Sequence, residues 1–279
     1  DYKSSMGYLA LANSTRSVYS SGLDKLEDYF GDEFKLVNMT VREASKYYEY
    51  KVLFATGKPS YVSAMMKGPK AAFQTLVDLR EAEINPFALI NIKLKYNPRA
   101  VVWSKEEVEM FYAVAKTHND LQYMHSFVTM LYESAQRPED VRSMMWVQRG
   151  WSEKYNAYYL DIIQQKTGTA VTVWITEKTD LAICSNRDPL TYTHLFNKKG
   201  EHVSLQTFRN DFKKVLDIAG LRPELQMRDL RRSRVTHLID AGKTSEQVMA
   251  LTGHKSLSVF EKTYKVTSRD TSAFILQGD

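Results

Sequence analysis

Apolar residues recur along this chain with two different periods, and the change from one to the other maps its organisation. Residues 13–95 carry the helical spacing. Val18, Leu23, Leu26 and Phe30 form one stripe, which Ser14 or Thr15 can cap. Thr40, with Glu43 three positions on, predicts a capping box at the start of a second helix. Ser60 precedes a third, whose stripe of Ala64, Met65, Ala72, Phe73, Leu76 and Val77 is interrupted by Gly68-Pro69. The period then lapses over residues 84–103, where prolines break a run of alternating apolar positions and the chain reads as a connection. Helical spacing resumes behind Ser104, again with a glutamate, Glu107, in the box position.

Within this second stretch, Tyr158–Ile163 and Val171–Ile175 are rich in β-branched and aromatic residues. With Gly168 between them they predict a hairpin that puts Lys166 at or near its tip. Leu205, Phe208, Phe212, Val215, Leu216 and Ala219 predict an amphipathic helix closed by Gly220. Further helices are expected from about Asp229 to Ala241, from Thr244 to Gly253 with Gln247 in the box position, and from a Ser258/Glu261 box through Tyr264. The expected architecture is therefore mainly α (α+β). A helical domain spans 1–95, a linker 96–103, and a mostly helical domain with a small β-sheet 104–279.

Composition narrows the function. With 279 residues, 43% of them hydrophobic, the chain can bury a substantial core. Its single cysteine, Cys184, cannot form an internal disulfide, as suits a reducing compartment. No apolar run approaches the ~18 residues of a membrane span, and no signal peptide opens the chain. Its first residue is Asp1, as expected of a segment of a longer protein. Residues 198–234 hold ten Lys and Arg against five acids, an excess equal to the net +5 of the whole chain. A focused basic window suits a polyanionic partner, although alone it would equally suit a solvated helix face.

The chemistry-bearing residues come in a definite order: Arg137 in SAQRPEDVRSMMW, Lys166 in QQKTGTAV, Arg231 in MRDLRRSR, then His254 and Tyr264 in LTGHKSLSVFEKTY. A phenol with guanidiniums, an imidazole and an ammonium is what attack on a phosphodiester requires: a nucleophile, clamps for the phosphoryl oxygens and groups that move protons. His118, His125, His194, His202 and His237 lack metal-ligand spacing, and there is no P-loop, dinucleotide fingerprint or Gly-x-Ser-x-Gly motif, so no cofactor or metal is implied.

That order resembles the tyrosine recombinases of the phage-integrase family. The resemblance implies a helical core-binding (SAM-like) domain followed by a catalytic domain, and site-specific strand exchange through a 3′-phosphotyrosyl intermediate made by Tyr264. Arg137, supported by Asp140, matches the first-arginine box, with Trp146 at a packing position, and Lys166 matches the hairpin lysine that protonates the departing 5′ oxygen. Arg231 matches the second-arginine box, 23 residues before His254, whose implied role is a hydrogen bond to a phosphoryl oxygen. Tyr264 follows His254 by ten positions, one more than the family's usual spacing.

Arg228 stands where the family has histidine. A guanidinium stays protonated at working pH, so it can hold phosphate but cannot take a proton. Arg232 is expected against the DNA backbone, Arg234 at the backbone or surface, and His237 in a structural role. In the first domain Lys58, Tyr61, Lys67 and Lys70 are the expected phosphate contacts. The implied partners are double-stranded DNA, a tetramer of this chain assembled on it, and accessory DNA-bending proteins. The implied setting is the cytoplasm of a bacterial or archaeal host, for a cellular or viral protein. Two alternatives stay open: a type IB topoisomerase-like enzyme, and a catalytically inactive DNA-binding regulator, which Arg228 would suit.

Overall fold

The computed structural model describes residues 2–31, 33–54, 59–90, 99–185, 187, 193–198 and 200–264. The chain divides between Arg99 and Ala100 into two compact units.

The first unit is helical: α1 (Met6–Leu9), α2 (Asn13–Phe30), α3 (Val41–Phe54), α4 (Pro59–Met65) and α5 (Lys67–Asp78). Leu26, Tyr47, Val62, Met66, Phe73 and Phe87 form its core. Two glycines let the helices meet. A Cβ on Gly22 would strike the carbonyl of Met65, and one on Gly68 the carbonyl of Tyr19, so α2 lies close against α4 and α5. Gly68-Pro69 therefore opens α5 rather than breaking a longer helix, since proline in a first turn loses no helical hydrogen bond. The Thr40/Glu43 box forms, with Thr40 N donating to Glu43 at 2.7 Å and Glu43 N donating to Thr40 Oγ1 at 3.2 Å. Two expected caps fall elsewhere. α2 begins at Asn13 behind Ala12, ahead of Ser14 and Thr15, and Ser60 lies inside α4, which starts at Pro59. Phe87, in the stretch that reads as a connection, packs on Phe73 at 5.3 Å between ring centroids.

In the second unit, α6 (Lys105–Thr117) starts at the expected Ser104/Glu107 box, and α7 (Gln122–Ser134) is enclosed on almost every side. Trp103, also in the connecting stretch, is 0% exposed and meets Phe111 and Phe212 edge-on. α8 (Pro138–Arg142) follows. Next comes an antiparallel sheet of β1 (Arg149–Ser152), β2 (Ala157–Ile163) and β3 (Ala170–Ile175) in that order, with Leu160 facing Val173 in the buried layer. The hairpin is the one the sequence pattern predicts, while β1 lacked a readable alternation. α9 (Glu177–Ser185), the short pair β4 (Asn197–Lys198) and β5 (Glu201–His202), and α10 (Leu205–Ile218) lead to α11 (Met227–Asp240) and α12 (Ser245–Thr252). The last element is α13 (Leu257–Tyr264).

α10 buries Phe208, Phe212, Val215 and Leu216, and the chain turns at Gly220 with φ of 64°. α13 corrects one expectation. Its first turn is capped by Ser256, whose Oγ accepts from Val259 N, so Ser258 lies within the helix rather than at its cap. A satellite core of Ala135, Val235, Ile239, Val248 and Phe260 seats this helix. Burying a side chain the size of Phe260 contributes about 2–3 kcal/mol, and Tyr264 shares its face four residues on. Among the described residues, no helix is long and apolar enough to cross a membrane.

Candidate active site

Three helix ends and a hairpin base converge beneath Tyr264. α11 supplies Arg231, which is 7% exposed. Its Nη1 donates to the carbonyl of Ala135 (2.8 Å), its Nη2 to the carbonyl of Thr252 (3.0 Å), and its Nε to the hydroxyl of Tyr264 (3.3 Å). Ala135 ends α7 in the left-handed conformation, with φ of 50°, which aims its carbonyl at the guanidinium. Burial lowers the pKa of Arg231, an effect that the facing Tyr264 oxygen opposes. Held by carbonyls rather than by a carboxylate, the guanidinium keeps its charge uncancelled beside the phenol.

Arg137 precedes α8 and points into the same place. Its Nη1 donates to Gln164 Oε1 at 3.0 Å and lies 3.5 Å from Asp140 Oδ2, so the expected orienting acid is in position. Asp140 Oδ1 also accepts from the backbone of Gln165 (2.8 Å), which ties it to the turn bearing Lys166. Lys166 itself is exposed.

His254 follows Gly253, which closes α12 at φ of 73°. Its Nδ1 lies 2.7 Å from Thr252 Oγ1, and that hydroxyl is also 2.8 Å from the carbonyl of Val248. Because the hydroxyl proton goes to the carbonyl, Oγ1 accepts from Nδ1–H, leaving Nε2 of the imidazole with its lone pair. Burial first, then the guanidiniums of Arg231 and Arg137, lower the His254 pKa to about 4, so the ring is neutral near pH 7. It meets Tyr264 edge-on, 5.7 Å between centroids. As a neutral ring it can accept a proton at Nε2, and it can donate to a phosphoryl oxygen from that atom only once protonated.

The residue that joins these parts is one that sequence reasoning missed. Gln164 is 0% exposed and all four of its hydrogen-bonding positions are used. Its Oε1 accepts from Arg137 (3.0 Å) and from Thr167 Oγ1 (2.9 Å), and its Nε2 donates to Gln136 Oε1 (2.6 Å) and to the carbonyl of Thr252 (2.9 Å). Gln136, also buried, donates onward to the carbonyl of Leu251 at 2.7 Å. One amide thus connects the first arginine, the lysine turn and the end of the helix that leads to His254. A Cβ on Gly253 would come within 2.8 Å of this amide, which explains the glycine there beyond its left-handed backbone.

The structure does not bring every expected residue into this cluster. Arg228 is exposed one turn before Arg231 and lines a neighbouring cleft of about 440 Å³ with Arg209 and Lys213. Arg232 lies over the Tyr264 ring at 5.6 Å, a cation–π contact beside the site. Arg234, expected at the backbone or surface, forms an ion pair with Glu133 at 2.6 Å. His237 bonds to the Tyr132 hydroxyl at 2.6 Å. In the first unit Tyr61, Lys67 and Lys70 are exposed, and Lys58 lies outside the described residues.

The family described as the phage integrase family matches residues 102–269. Among solved structures, a lambda integrase dimer bound to a COC′ core site superposes with a TM-score of 0.76 at 17% identity, covering 93% of this chain and 73% of that one. The Tn1549 transposon integrase in complex with circular intermediate DNA gives 0.75 at 14%, covering 95% and 94%. The XerH recombinase bound to its difH substrate gives 0.71 at 14%, covering 95% and 79%. At these identities the structural likeness is one of fold. No curated protein matches the chain in sequence.

Proposed function

The chain belongs to the phage integrase family and is a site-specific tyrosine recombinase, and from that premise we propose that Tyr264 attacks a DNA phosphate to form a 3′-phosphotyrosyl bond and release a 5′ hydroxyl. The single observation that carries this reading is the Tyr264 hydroxyl 3.3 Å from the buried Arg231 guanidinium of its own chain. Arg231 and Arg137 clamp the phosphoryl oxygens and stabilise the charge of the pentacoordinate transition state, with their geometry fixed before DNA arrives. The phenolic proton passes to Nε2 of His254, the unprotonated ring nitrogen of the site. The resulting imidazolium then donates a hydrogen bond to a phosphoryl oxygen. Lys166 gives a proton to the departing 5′ oxygen. Arg228, which cannot accept a proton, adds positive charge from the rim.

Its partners on this reading are duplex DNA and further copies of the chain. The lambda integrase and Tn1549 integrase structures hold DNA, and one lambda integrase structure is a tetramer on a Holliday junction. A tetrameric synapse with accessory DNA-bending proteins is the expected working state. Tyr61, Lys67 and Lys70 on the first unit, together with Lys58, contact backbone phosphates without reading sequence. As a protein that acts on DNA, the chain works in the cell interior, and we place it in the cytoplasm of a bacterial or archaeal host.

A suicide substrate nicked beside the cleavage position tests the chemistry. The native protein should accumulate a covalent adduct that maps to Tyr264, and Tyr264→Phe should form none. An adduct mapping to another residue, or none with native protein that binds the DNA, overturns the reading in favour of an inactive DNA-binding regulator.

A further inference from the structure

Arg231 is distinguished by the neutrality of its partners. The other arginines held by directed hydrogen bonds in the second unit mostly face a carboxylate: Arg149 pairs with Asp180 at 2.7 Å, Arg222 with Glu107 at 2.6 Å, Arg234 with Glu133 at 2.6 Å, and Arg137 with Asp140 at 3.5 Å. One further arginine departs from that pattern. Arg142, the last residue of α8, donates from Nη1 to Nε2 of His202 (2.7 Å) and to the carbonyl of Val203 (3.4 Å). Among the described residues no carboxylate forms an ion pair with it. Its charge is positioned but not cancelled.

The side chains placed against it are imidazoles rather than carboxylates. His202 lies on β5, and the His194 ring lies against it with centroids 4.0 Å apart and planes tilted by 35°. His194 is fixed by its own strand-like contacts, since Trp146 N donates to the Thr193 carbonyl and Leu195 N to the Met144 carbonyl, each at 2.9 Å. Three separate segments therefore bring together one guanidinium and two imidazoles. Burial, followed by the neighbouring imidazole and guanidinium, lowers the His202 pKa, and burial and Arg142 lower that of His194. No acid is among the causes that act on either ring. Because Nε2 of His202 accepts from Arg142, its proton sits on Nδ1 as a further donor. Donors without acids are the inventory of an anion site.

We propose that Arg142, His194 and His202 form a second phosphate-binding site, which takes a DNA backbone phosphate beyond the scissile one. The proposal rests on reading the chain as a DNA recombinase. Position supports it: Arg137 caps α8 and Arg142 is its last residue, so one five-residue helix joins the two arginines. A strand whose scissile phosphate meets Arg137 could then present another phosphate to Arg142. The site would set register and grip, not chemistry.

Duplex-DNA binding measured across a salt series, with cleavage at saturating DNA in parallel, tests this. Arg142→Gln should weaken binding about five- to tenfold at low salt and reduce the slope of log affinity against log salt by about 0.9, the loss of one phosphate contact. Its cleavage rate at saturation should stay within about twofold. His202→Glu, at an exposed position, supplies the missing carboxylate and should lower the slope at least as much with Arg142 still in place. Unchanged slopes in both variants, with native binding intact, overturn the second site and leave the recombinase reading standing. Slower cleavage at saturation with an unchanged slope also overturns it, since Arg142 would then act by holding Arg137. A native protein that binds no duplex DNA overturns both.

Discussion

Arg231 and Lys166 occupy opposite extremes of the same site. Arg231 is buried, grips two main-chain carbonyls and touches the proposed nucleophile, Tyr264. Lys166 is exposed on a turn whose base is fastened by Gln164, Thr167 and Asp140. On the proposed reading, the groups that meet developing charge are set in a buried floor, where fixed donors need no reorganisation and act in a low dielectric. The group that delivers a proton, on the same reading, is left exposed, where it can meet the leaving oxygen. On that reading burial follows the task of each cation, the clamp buried below and the proton donor exposed above.

The strongest way to break that contrast is at the floor. Arg231→Ala should lower single-turnover cleavage by at least about 10³-fold, with duplex binding reduced far less, because it is one contact among many. Parallel loss of binding and cleavage would assign the arginine to docking or folding. At the tip, Lys166→Ala should slow cleavage by about 10²- to 10⁴-fold and leave the melting temperature unchanged. Replacing the bridging 5′ oxygen of the substrate by sulfur, which departs without a proton, should restore most of that rate. If sulfur gives no rescue, the lysine is not the proton donor.

Gln164 joins floor to tip, so its variants sharpen the comparison. Gln164→Leu should cost about 1–3 kcal/mol of stability by leaving buried partners unmatched, and should slow cleavage about 10- to 100-fold. The sulfur-leaving substrate should recover only the share due to Lys166, whereas complete recovery would mean that Gln164 does not position the arginine. The smallest effect concerns His254. Its folded pKa of about 4 lies below the ordinary value, so between about pH 6.5 and 4 the unfolded chain binds the extra proton. Stability should therefore fall as pH is lowered through that window, and His254→Gln should flatten the fall. Equal slopes in urea melts of the two proteins would show that the ring is not held neutral.

What could be read in advance was local. The boxes at Ser104/Glu107 and Thr244/Gln247, the hairpin around Gly168, and the helix-closing Gly220 and Gly253 each depend on residues within a few positions of one another. The cap of α13 fell two residues from its expected place because Ser256 and Ser258 offer the same hydroxyl at neighbouring positions. The reactive residues were legible by their order. Their support was not, because Gln164 reaches Gln136 across 28 positions and Thr252 across 88. A glutamine between a strand and a turn has no pattern that marks it as buried. Trp103 and Phe87 escaped for the opposite reason: they are core side chains within a segment that lacks a regular period.

The oxygens that hold Arg231 from below, at Ala135 and Thr252, belong to the peptide backbone. Truncating either side chain would leave its oxygen in place, so systematic alanine replacement across the site would pass over two of the three atoms that aim this guanidinium. Turning the amides that carry them into esters, which weakens each oxygen as an acceptor while sparing every side chain, would bring them within experimental reach.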